Sequence, residues 1–321
     1  MGTAKISPDA FRVTALAGGV GGAKLAAGLA ACLPPSSLTI IVNIGDDFDH
    51  FGMRICPDLD TVCYTLAGIA NPATGWGRAD ESWHAYEEIV NLGGPAWFRL
   101  GDRDLATHII RTNRLRQGEL LSGITEALCG LWGIELSVLP ASDDPIPTQV
   151  YTEDGILQFQ EYFVEKKCIP KVGEFRFLGV EHAHPAPGVI AAIRAADIVV
   201  ICPSNPWVSI DPILAIAGIY DEIKQKEVIA VSPIIAGETI KGPAAKMYRE
   251  LGIPPSASAV AQHYVGLLSG FVFDVADAAL EKDIKKLGLR TFVTNTVMLK
   301  KNDRQRLARE VIEFGMNQIA D

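Results

Sequence analysis

The segment Arg12-Val-Thr-Ala-Leu-Ala-Gly-Gly-Val-Gly-Gly-Ala-Lys24 decides the fold class of this 321-residue chain. A short run of β-prone residues ends at Ala17, a glycine-rich turn follows, and an alanine-rich segment of helical composition begins at Ala23. This is the pattern of a strand, a tight turn and a helix. Glycines let a backbone approach a phosphate closely, and the free N–H groups at a helix start favour an anion.

The rest of the chain repeats this alternation. Apolar runs at residues 38–43, 198–202 and 228–231 have the composition of parallel strands covered on both faces, and helical segments follow them. We therefore expect an α/β fold with an open parallel sheet and helices on both faces. Residues 12–321 form one domain in this interpretation, with a mainly helical insertion at about 72–132. Residues 1–11 form an N-terminal extension that we expect to be disordered.

Smaller elements are predicted from local patterns. The insertion contains three segments with helical periodicity, at residues 80–92, 102–114 and 120–132. The triplet Glu153-Asp-Gly155 separates two β-prone runs and predicts a hairpin turn. Residues 303–319 form an amphipathic helix.

Composition excludes several classes of protein. The chain carries 38 acidic and 29 basic side chains, a net charge of −9, and no basic run interleaved with aromatic residues, so nucleic acid is not an expected partner. No stretch of about 20 residues is free of polar interruption, and we expect neither a membrane span nor a signal peptide. The six cysteines include no C-x-x-C pair and predict reduced core residues of a cytoplasmic protein.

The glycine turn is the main functional signal. Its candidate phosphate-binding residues are Gly18, Gly19, Gly21, Gly22 and Lys24. The turn is not a Walker A loop, and the third glycine of a dinucleotide fingerprint is replaced by Lys24. An NAD(P)-dependent oxidoreductase, with Gly19-Val-Gly21 as its pyrophosphate turn, is the alternative function, although the missing third glycine counts against it. Glycines required only for packing are the structural alternative.

Carboxylates follow the second predicted strand. Asp46 and Asp47 come directly after it, and Asp60 lies further along in Cys56-Pro-Asp-Leu-Asp-Thr61. Residues beyond the carboxyl ends of neighbouring parallel strands converge on one crevice. Several carboxylates beside a phosphate site predict a divalent cation, and Mg²⁺ typically uses one or two carboxylates plus substrate phosphates. Asp46 or Asp47 as a simple turn or helix-cap residue is the alternative.

Polar residues also follow the later strands. Ser204-Asn205 comes after the third strand and Ser232 after the fourth, at positions that commonly hold nucleotide ribose and base. Lys241 is a further candidate for phosphate. In Gly101-Asp-Arg-Asp-Leu105, Arg103 is placed to contact a phosphate from the start of the helix that carries His108; a capping box without a ligand is the alternative. No nucleophile motif for covalent catalysis occurs, which favours direct transfer of a phosphate-linked group.

Taken in order along the chain, these motifs resemble the 2-phospho-L-lactate transferase family (CofD/FbiA) of coenzyme F(420) biosynthesis. The matching segments are Gly18-Gly-Val-Gly-Gly-Ala-Lys24, Asn43-Ile-Gly-Asp-Asp47, Cys56-Pro-Asp-Leu-Asp-Thr61, Gly101-Asp-Arg-Asp-Leu-Ala-Thr-His108, Ser204-Asn-Pro206 and Ser232-Pro-Ile-Ile-Ala-Gly237 with Lys241-Gly242.

The resemblance implies a Rossmann-like, three-layer parallel sheet, a homodimer and a requirement for Mg²⁺. It implies that a guanosine diphosphate ester of a three-carbon acid donates its phospho-acid to a hydroxyl of the deazaflavin Fo, with release of GMP. Whether the acid is lactyl, enolpyruvyl or glyceryl stays open.

The resemblance also suggests roles for residues of this chain. The glycine turn would face the diphosphate. Asp46 and Asp60 would bind the metal, and Asp47 would orient the attacking hydroxyl. The flat deazaflavin would lie against the insertion, on Trp83, Arg103 and His108, because aromatic and cationic groups stack on such rings.

Overall fold

A computed structural model describes residues 11–320, with side chains described through residue 317. The predicted extension at residues 1–10 lies outside the described residues. Phe11, assigned to the extension from sequence, is fully buried in the core, so the domain includes this residue.

The strands and helices alternate along most of the chain. The strands are β1 (Val13–Ala17), β2 (Leu38–Val42), β3 (Phe48–His50), β4 (Met53–Ile55), β5 (Ser137–Pro140), β6 (Thr148–Thr152), β7 (Gly155–Gln158), β8 (Val172–Phe177), β9 (Ile198–Ile201), β10 (Glu227–Val231), β11 (Ile234–Ile235), β12 (Glu238–Thr239), β13 (Gly270–Asp274) and β14 (Arg290–Thr294).

The α-helices are α1 (Gly19–Ala30), α2 (Pro57–Leu66), α3 (His84–Asn91), α4 (Asp102–Arg116), α5 (Leu121–Leu131), α6 (Val189–Ala195), α7 (Asp211–Ala215), α8 (Ile219–Ile223), α9 (Ala244–Glu250), α10 (Ala257–His263), α11 (Glu281–Lys285) and α12 (Lys301–Ala320).

A seven-stranded parallel sheet forms the centre of the fold, in the order β14-β13-β10-β9-β1-β2-β5. Every residue of β1, β9 and β13 is buried, and successive side chains of a strand point to opposite faces, so both faces of the sheet are covered. The expected Rossmann-like α/β fold is confirmed. The chain order reverses direction where β1 lies between β2 and β9, and ligands of open α/β sheets bind at such a point.

The insertion is helical, with α4 and α5 close to their predicted bounds. Helix α3 begins at His84, later than predicted, because Asp80 has a left-handed φ of 54°. The Asp102 carboxylate accepts hydrogen bonds from the backbone N–H groups of His84 and Ala85 and fixes that start. Glu81 in turn accepts the N–H of Arg103 at the start of α4. Asp102 therefore caps α3 rather than its own helix.

A separate antiparallel sheet, β7-β6-β8, contains the predicted hairpin, in which Thr152 pairs with Gly155. The segment after β7 forms a helical turn, Glu161–Glu165, that leads back towards the central sheet. The predicted C-terminal helix is α12. No helix among the described residues is long and apolar enough to cross a lipid bilayer.

Candidate active site

A cavity of about 690 Å³ opens beyond the carboxyl ends of the central strands. Its walls come from the start of α1, the loop after β2, the first turns of α2 and α4, the segment after β7, and the loops after β9 and β10. The sequence expectation that residues after different strands converge on one crevice agrees with this arrangement. A cavity of this size accommodates a nucleotide or cofactor-sized ligand.

The glycine turn is fixed by side chains of the protein itself. The Gly18 N–H donates to the Ser204 Oγ at 3.1 Å, and the Ser204 hydroxyl donates to the Gly18 carbonyl at 2.8 Å. The Gly19 N–H donates to the Asp58 Oδ1 at 2.7 Å, and Gly19 has a left-handed φ of 61° that favours glycine. These two N–H groups are already paired, so an incoming phosphate would have to displace Ser204 and Asp58 to reach them.

Packing alone leaves no room for a side chain at three of the glycines. A Cβ on Gly18 would lie 2.4 Å from the Asp58 Oδ2. A Cβ on Gly21 would lie 2.3 Å from the Pro203 carbonyl oxygen, and a Cβ on Gly22 would lie 2.4 Å from the Ser204 Oγ. Gly18, Gly19 and Gly21 line the cavity, whereas Gly22 does not. The packing interpretation therefore accounts for Gly22, and for the missing side chains of Gly18 and Gly21, without a ligand.

Asp46 and Asp58 form a buried pair of carboxylates in the cavity wall. The Asn43 side-chain amide donates to both, at 3.2 Å to Asp46 and 2.9 Å to Asp58. Burial and the charges of Asp58 and Asp47 raise the pKa of Asp46 well above its ordinary value. Burial likewise raises the pKa of Asp58 to about 6, although hydrogen bonds from Asn43, Gly19 and Ser209 oppose this.

This pair fits a divalent cation. No lysine or arginine among the described residues lies within ion-pair distance of Asp46 or Asp58, so their charges are not balanced by the protein. Two adjacent carboxylates facing a cavity supply the oxygen ligands that Mg²⁺ prefers, with room for waters or phosphates to complete the coordination. Asp58 was not among the metal ligands expected from sequence, although its motif had been singled out.

Asp60 lies in a different environment. Arg111 donates to both of its oxygens, with 3.0 Å between Nη1 and Oδ2. The same Nη1 lies 3.2 Å from His108 Nδ1, and His108 Nε2 lies 3.4 Å from an oxygen of Asp104. Tyr64 donates its hydroxyl to that oxygen at 2.7 Å. Asp60, Asp104 and His108 line the cavity, and Arg111 and Tyr64 lie behind them.

The charges of this network favour an ionised Asp104. Burial acts to raise the pKa of Asp104, but contacts with His108 and Tyr64 and the charge of Arg111 outweigh it, so the pKa lies below its ordinary value. Asp60, Asp104 and His108 place one ligand atom each within 4.8 Å of one another. Because Arg111 already supplies a positive charge to Asp60, this cluster is less suited to a divalent cation than the pair Asp46 and Asp58.

Asp47 is buried and does not line the cavity. Burial raises its pKa to about 7, against hydrogen bonding to Cys56 and the positive charges of Arg54 and Arg111. Asp47 therefore does not face the cavity in which the other candidate residues meet, and its role towards an attacking hydroxyl stays a prediction from sequence.

The remaining phosphate and nucleotide candidates all reach the cavity. They are Lys24, Ser204, Asn205, Ser232 and Lys241. Lys241 extends across to the insertion and donates to the Thr74 carbonyl at 2.5 Å. Burial and the positive charges of Arg304 and Lys241 lower the pKa of Lys24. An anion bound beside Lys24 would relieve this repulsion.

The deazaflavin candidates are separated by the fold. His108 lines the cavity, but Trp83 and Arg103 do not, so the structure does not bring the three residues to one surface. The Trp83 ring is covered by the Arg99 guanidinium, 4.2 Å from the ring centroid, and Arg103 is exposed to solvent. Four other aromatic side chains line the cavity, none of them singled out from sequence: Trp76, Phe98, Phe159 and Phe163. Phe159 and Phe163 stack on each other with an interplanar angle of 8°.

Comparisons with known proteins give the family of this chain. Residues 13–313 match the family described as 2-phospho-L-lactate transferase CofD. A protein of Streptomyces griseus named phosphoenolpyruvate transferase is 43% identical over 313 residues, which cover 95% of this chain and 98% of that protein. A phosphoenolpyruvate transferase of Thermobifida fusca is 47% identical over 282 residues, which cover 84% of this chain and 88% of the relative.

A solved structure of a UPF0052-family protein from Bacillus halodurans has the same fold, with a TM-score of 0.62, 18% identity, and coverage of 94% of this chain and 98% of the other. At this identity the likeness supports the fold alone. The family match over almost the whole chain and the identity to the curated relatives go further: this chain belongs to the 2-phospho-L-lactate transferase CofD family.

Proposed function

We propose that this transferase moves a phosphoenolpyruvyl group from a guanosine diphosphate ester to a hydroxyl of the deazaflavin Fo, with release of GMP, in coenzyme F(420) biosynthesis. The observation that carries the proposal is one cavity in which Lys24 and Lys241 accompany two buried carboxylates that lack a cation. Enolpyruvyl is proposed over lactyl and glyceryl because the similar relatives are named phosphoenolpyruvate transferases.

The paired N–H groups of the glycine turn change the role proposed for it. Since Gly19 donates to Asp58, the turn holds a candidate metal ligand in place. We propose that the diphosphate lies beside Lys24 and Lys241, whose positive charges stabilise it. This arrangement also disfavours the alternative NAD(P)-dependent oxidoreductase, because a pyrophosphate normally binds the N–H groups that Ser204 and Asp58 occupy here.

For the metal, we propose Asp46 and Asp58 as the protein ligands of Mg²⁺. When bound there, Mg²⁺ would neutralise charge on the diphosphate as GMP leaves. Asp60, which the sequence suggested as a ligand, is paired with Arg111, and we propose that it faces the acceptor hydroxyl instead. The protein otherwise contributes position, because it holds donor and acceptor in one cavity.

The acceptor ring is proposed to lie on the aromatic wall of the cavity. Trp76 and Phe98 come from the insertion, and Phe159 and Phe163 come from the segment after β7. A flat ring stacks favourably on such side chains. The homodimer stays a prediction from the resemblance, and the cytoplasmic location stays a prediction from the cysteines.

The test is direct identification of the product. Purified protein is incubated with Fo, Mg²⁺ and each of the three guanosine diphosphate esters, and the products are analysed by mass spectrometry. We expect GMP and an enolpyruvyl-phospho-Fo from the enolpyruvyl donor, at a kcat/KM at least about tenfold above that of the other donors. Preference for the lactyl or glyceryl donor would contradict the proposed acid, and no product with any donor would contradict the proposed function.

A further inference from the structure

Arg111 is a fully buried arginine directly behind the cavity wall. It lies on α4, one helical turn after His108, and is 1% exposed. Removing a guanidinium from water is costly unless partners compensate for the lost hydration. A buried arginine of this kind therefore needs an explanation in the groups that it contacts.

The contacts of Arg111 are with cavity-lining groups. Its two terminal nitrogens donate to the two oxygens of Asp60, and Nη1 also lies 3.2 Å from His108 Nδ1. Its Nε has no hydrogen-bond partner among the described residues. Four carboxylates line the wall of the cavity: Asp46, Asp58, Asp60 and Asp104. Within the described part of the chain, Arg111 is the only arginine or lysine that forms an ion pair with any of them.

These contacts fix the proton position on His108. An arginine side chain is always a donor, so His108 Nδ1 must be the acceptor of the Nη1–H. The ring proton of a neutral His108 then resides on Nε2, which faces Asp104 at 3.4 Å. Tyr64 holds Asp104 from behind through its hydroxyl. The wall of the cavity therefore holds the Asp60 carboxylate and the His108 ring in fixed orientations, with the buried Nε2 of His108 directed towards Asp104.

We infer that Arg111 is a positioning residue for group transfer, which orients the Asp60 carboxylate and holds His108 as the tautomer that carries its proton on Nε2. In this arrangement Nδ1 of His108 is occupied by Arg111 and Nε2 carries the proton, so the neutral ring has no free nitrogen that could act as the base. The inference rests on the proposed function, because Asp60, which Arg111 orients, is the carboxylate proposed to face the acceptor hydroxyl. A planar guanidinium suits this role since it bonds two oxygens and a ring nitrogen at once, whereas a lysine ammonium does not.

The first test separates positioning from binding. Arg111→Met removes the donors at similar length, and Arg111→Lys keeps the charge without the fork. Both variants should lower kcat by about 100-fold while KM for Fo and for the donor changes less than about threefold. Arg114→Met is the matched control: Arg114 lies one turn on, pairs with exposed Glu119, and should leave kcat unchanged.

A double-mutant cycle tests whether Arg111 acts through Asp60. If it does, Asp60→Asn combined with Arg111→Met should lose no more activity than the worse single variant. Thermal unfolding followed by circular dichroism checks that each variant folds. If Arg111→Met does not fold, the activity of Arg111→Lys decides the question. The inference would be overturned if the Arg111 variants kept a kcat near that of the wild type or changed only KM. It would also be overturned if the losses in the double variant were additive.

A second readout does not depend on transfer activity. Side-chain ¹⁵N NMR of histidine-labelled protein should show His108 with its proton on Nε2, the resonance being assigned by its absence in His108→Gln. In Arg111→Lys the two tautomers should become mixed. If wild-type His108 carries its proton on Nδ1, the inference is overturned even when transfer is confirmed. If the protein shows the expected tautomer but no transfer activity, only the proposed function is contradicted.

Discussion

Trp76 and Trp83 are close neighbours in the insertion, yet only Trp76 lines the cavity. Trp76 is 51% exposed, and the loop that carries it also supplies Thr74, the acceptor for Lys241. The Trp83 ring instead packs under Arg99. A flat acceptor bound in the cavity would therefore contact Trp76 and not Trp83.

The prediction at this scale concerns tryptophan fluorescence. Fo added to the wild-type protein should quench emission, and Trp76→Phe should remove most of that quenching because stacking brings the ring into direct contact with the acceptor. Trp83→Phe is the matched control and should retain the quenching of the wild type. Loss of quenching in Trp83→Phe, with Trp76→Phe unaffected, would place the acceptor outside this cavity.

At the scale of elements, α1 connects the glycine turn to the C-terminal helix. Helix α1 packs against α12 so closely that a Cβ on Gly28 would lie 2.3 Å from the Arg304 carbonyl oxygen. The position of α1, and with it Lys24 and the Gly19 contact to Asp58, therefore depends on this helix pair. The relation was not visible in the sequence, where Gly28 lies in an ordinary alanine-rich helix.

We predict that Gly28→Ala destabilises the protein by about 1–3 kcal/mol, because the new methyl group must push α12 away from α1. Urea unfolding of the variant measures the change. The control is Gly123→Ala in the first turn of α5, where a Cβ would meet no atom within 4 Å. There the substitution should stabilise the protein by about 0.5–1 kcal/mol. Equal effects at the two positions would contradict close packing of α1 on α12.

At the scale of the whole molecule, the acidic cavity couples stability to pH and to metal. The pKa of Asp58, about 6, lies above that of an aspartate in the unfolded chain, and the pKa of Asp46 is raised as well. Both groups therefore bind protons more tightly in the folded state. Below about pH 4 both groups are protonated in the folded and the unfolded chain, and they do not change the free energy of unfolding. As pH rises to about 6 and beyond, they lower it.

The corresponding prediction uses thermal unfolding in EDTA and in Mg²⁺. In EDTA the melting temperature should fall between pH 5 and pH 7, and Mg²⁺ at about 100 times its dissociation constant should add about 2.7 kcal/mol at pH 7. Asp58→Asn should flatten the pH dependence and weaken the effect of Mg²⁺. Asp154→Asn, at the exposed hairpin turn, should change neither. A Mg²⁺ effect that survives in Asp58→Asn would remove Asp58 from the metal site.

Local pattern was enough to predict the parallel sheet, the helical insertion, the hairpin at Gly155 and the C-terminal helix. Strand and helix periodicity are properties of neighbouring residues, and polar residues at the carboxyl ends of parallel strands must converge. For this reason the sequence predicts that the glycine turn, Asp46, Asp60, Ser204 and Ser232 lie at one crevice.

Tertiary structure decided the pairing of side chains within that crevice. Arg111 and Asp60 are 51 residues apart in the chain, and Gln160, whose amide lies 3.4 Å from an oxygen of Asp46, is 114 residues away from it. Which face of α4 turns inward determines that His108 reaches the cavity and Arg103 does not. Such contacts depend on how whole elements pack. The sequence by itself therefore determined the elements and the edge of the sheet that carries the site. Packing determined which carboxylates are left without a cation.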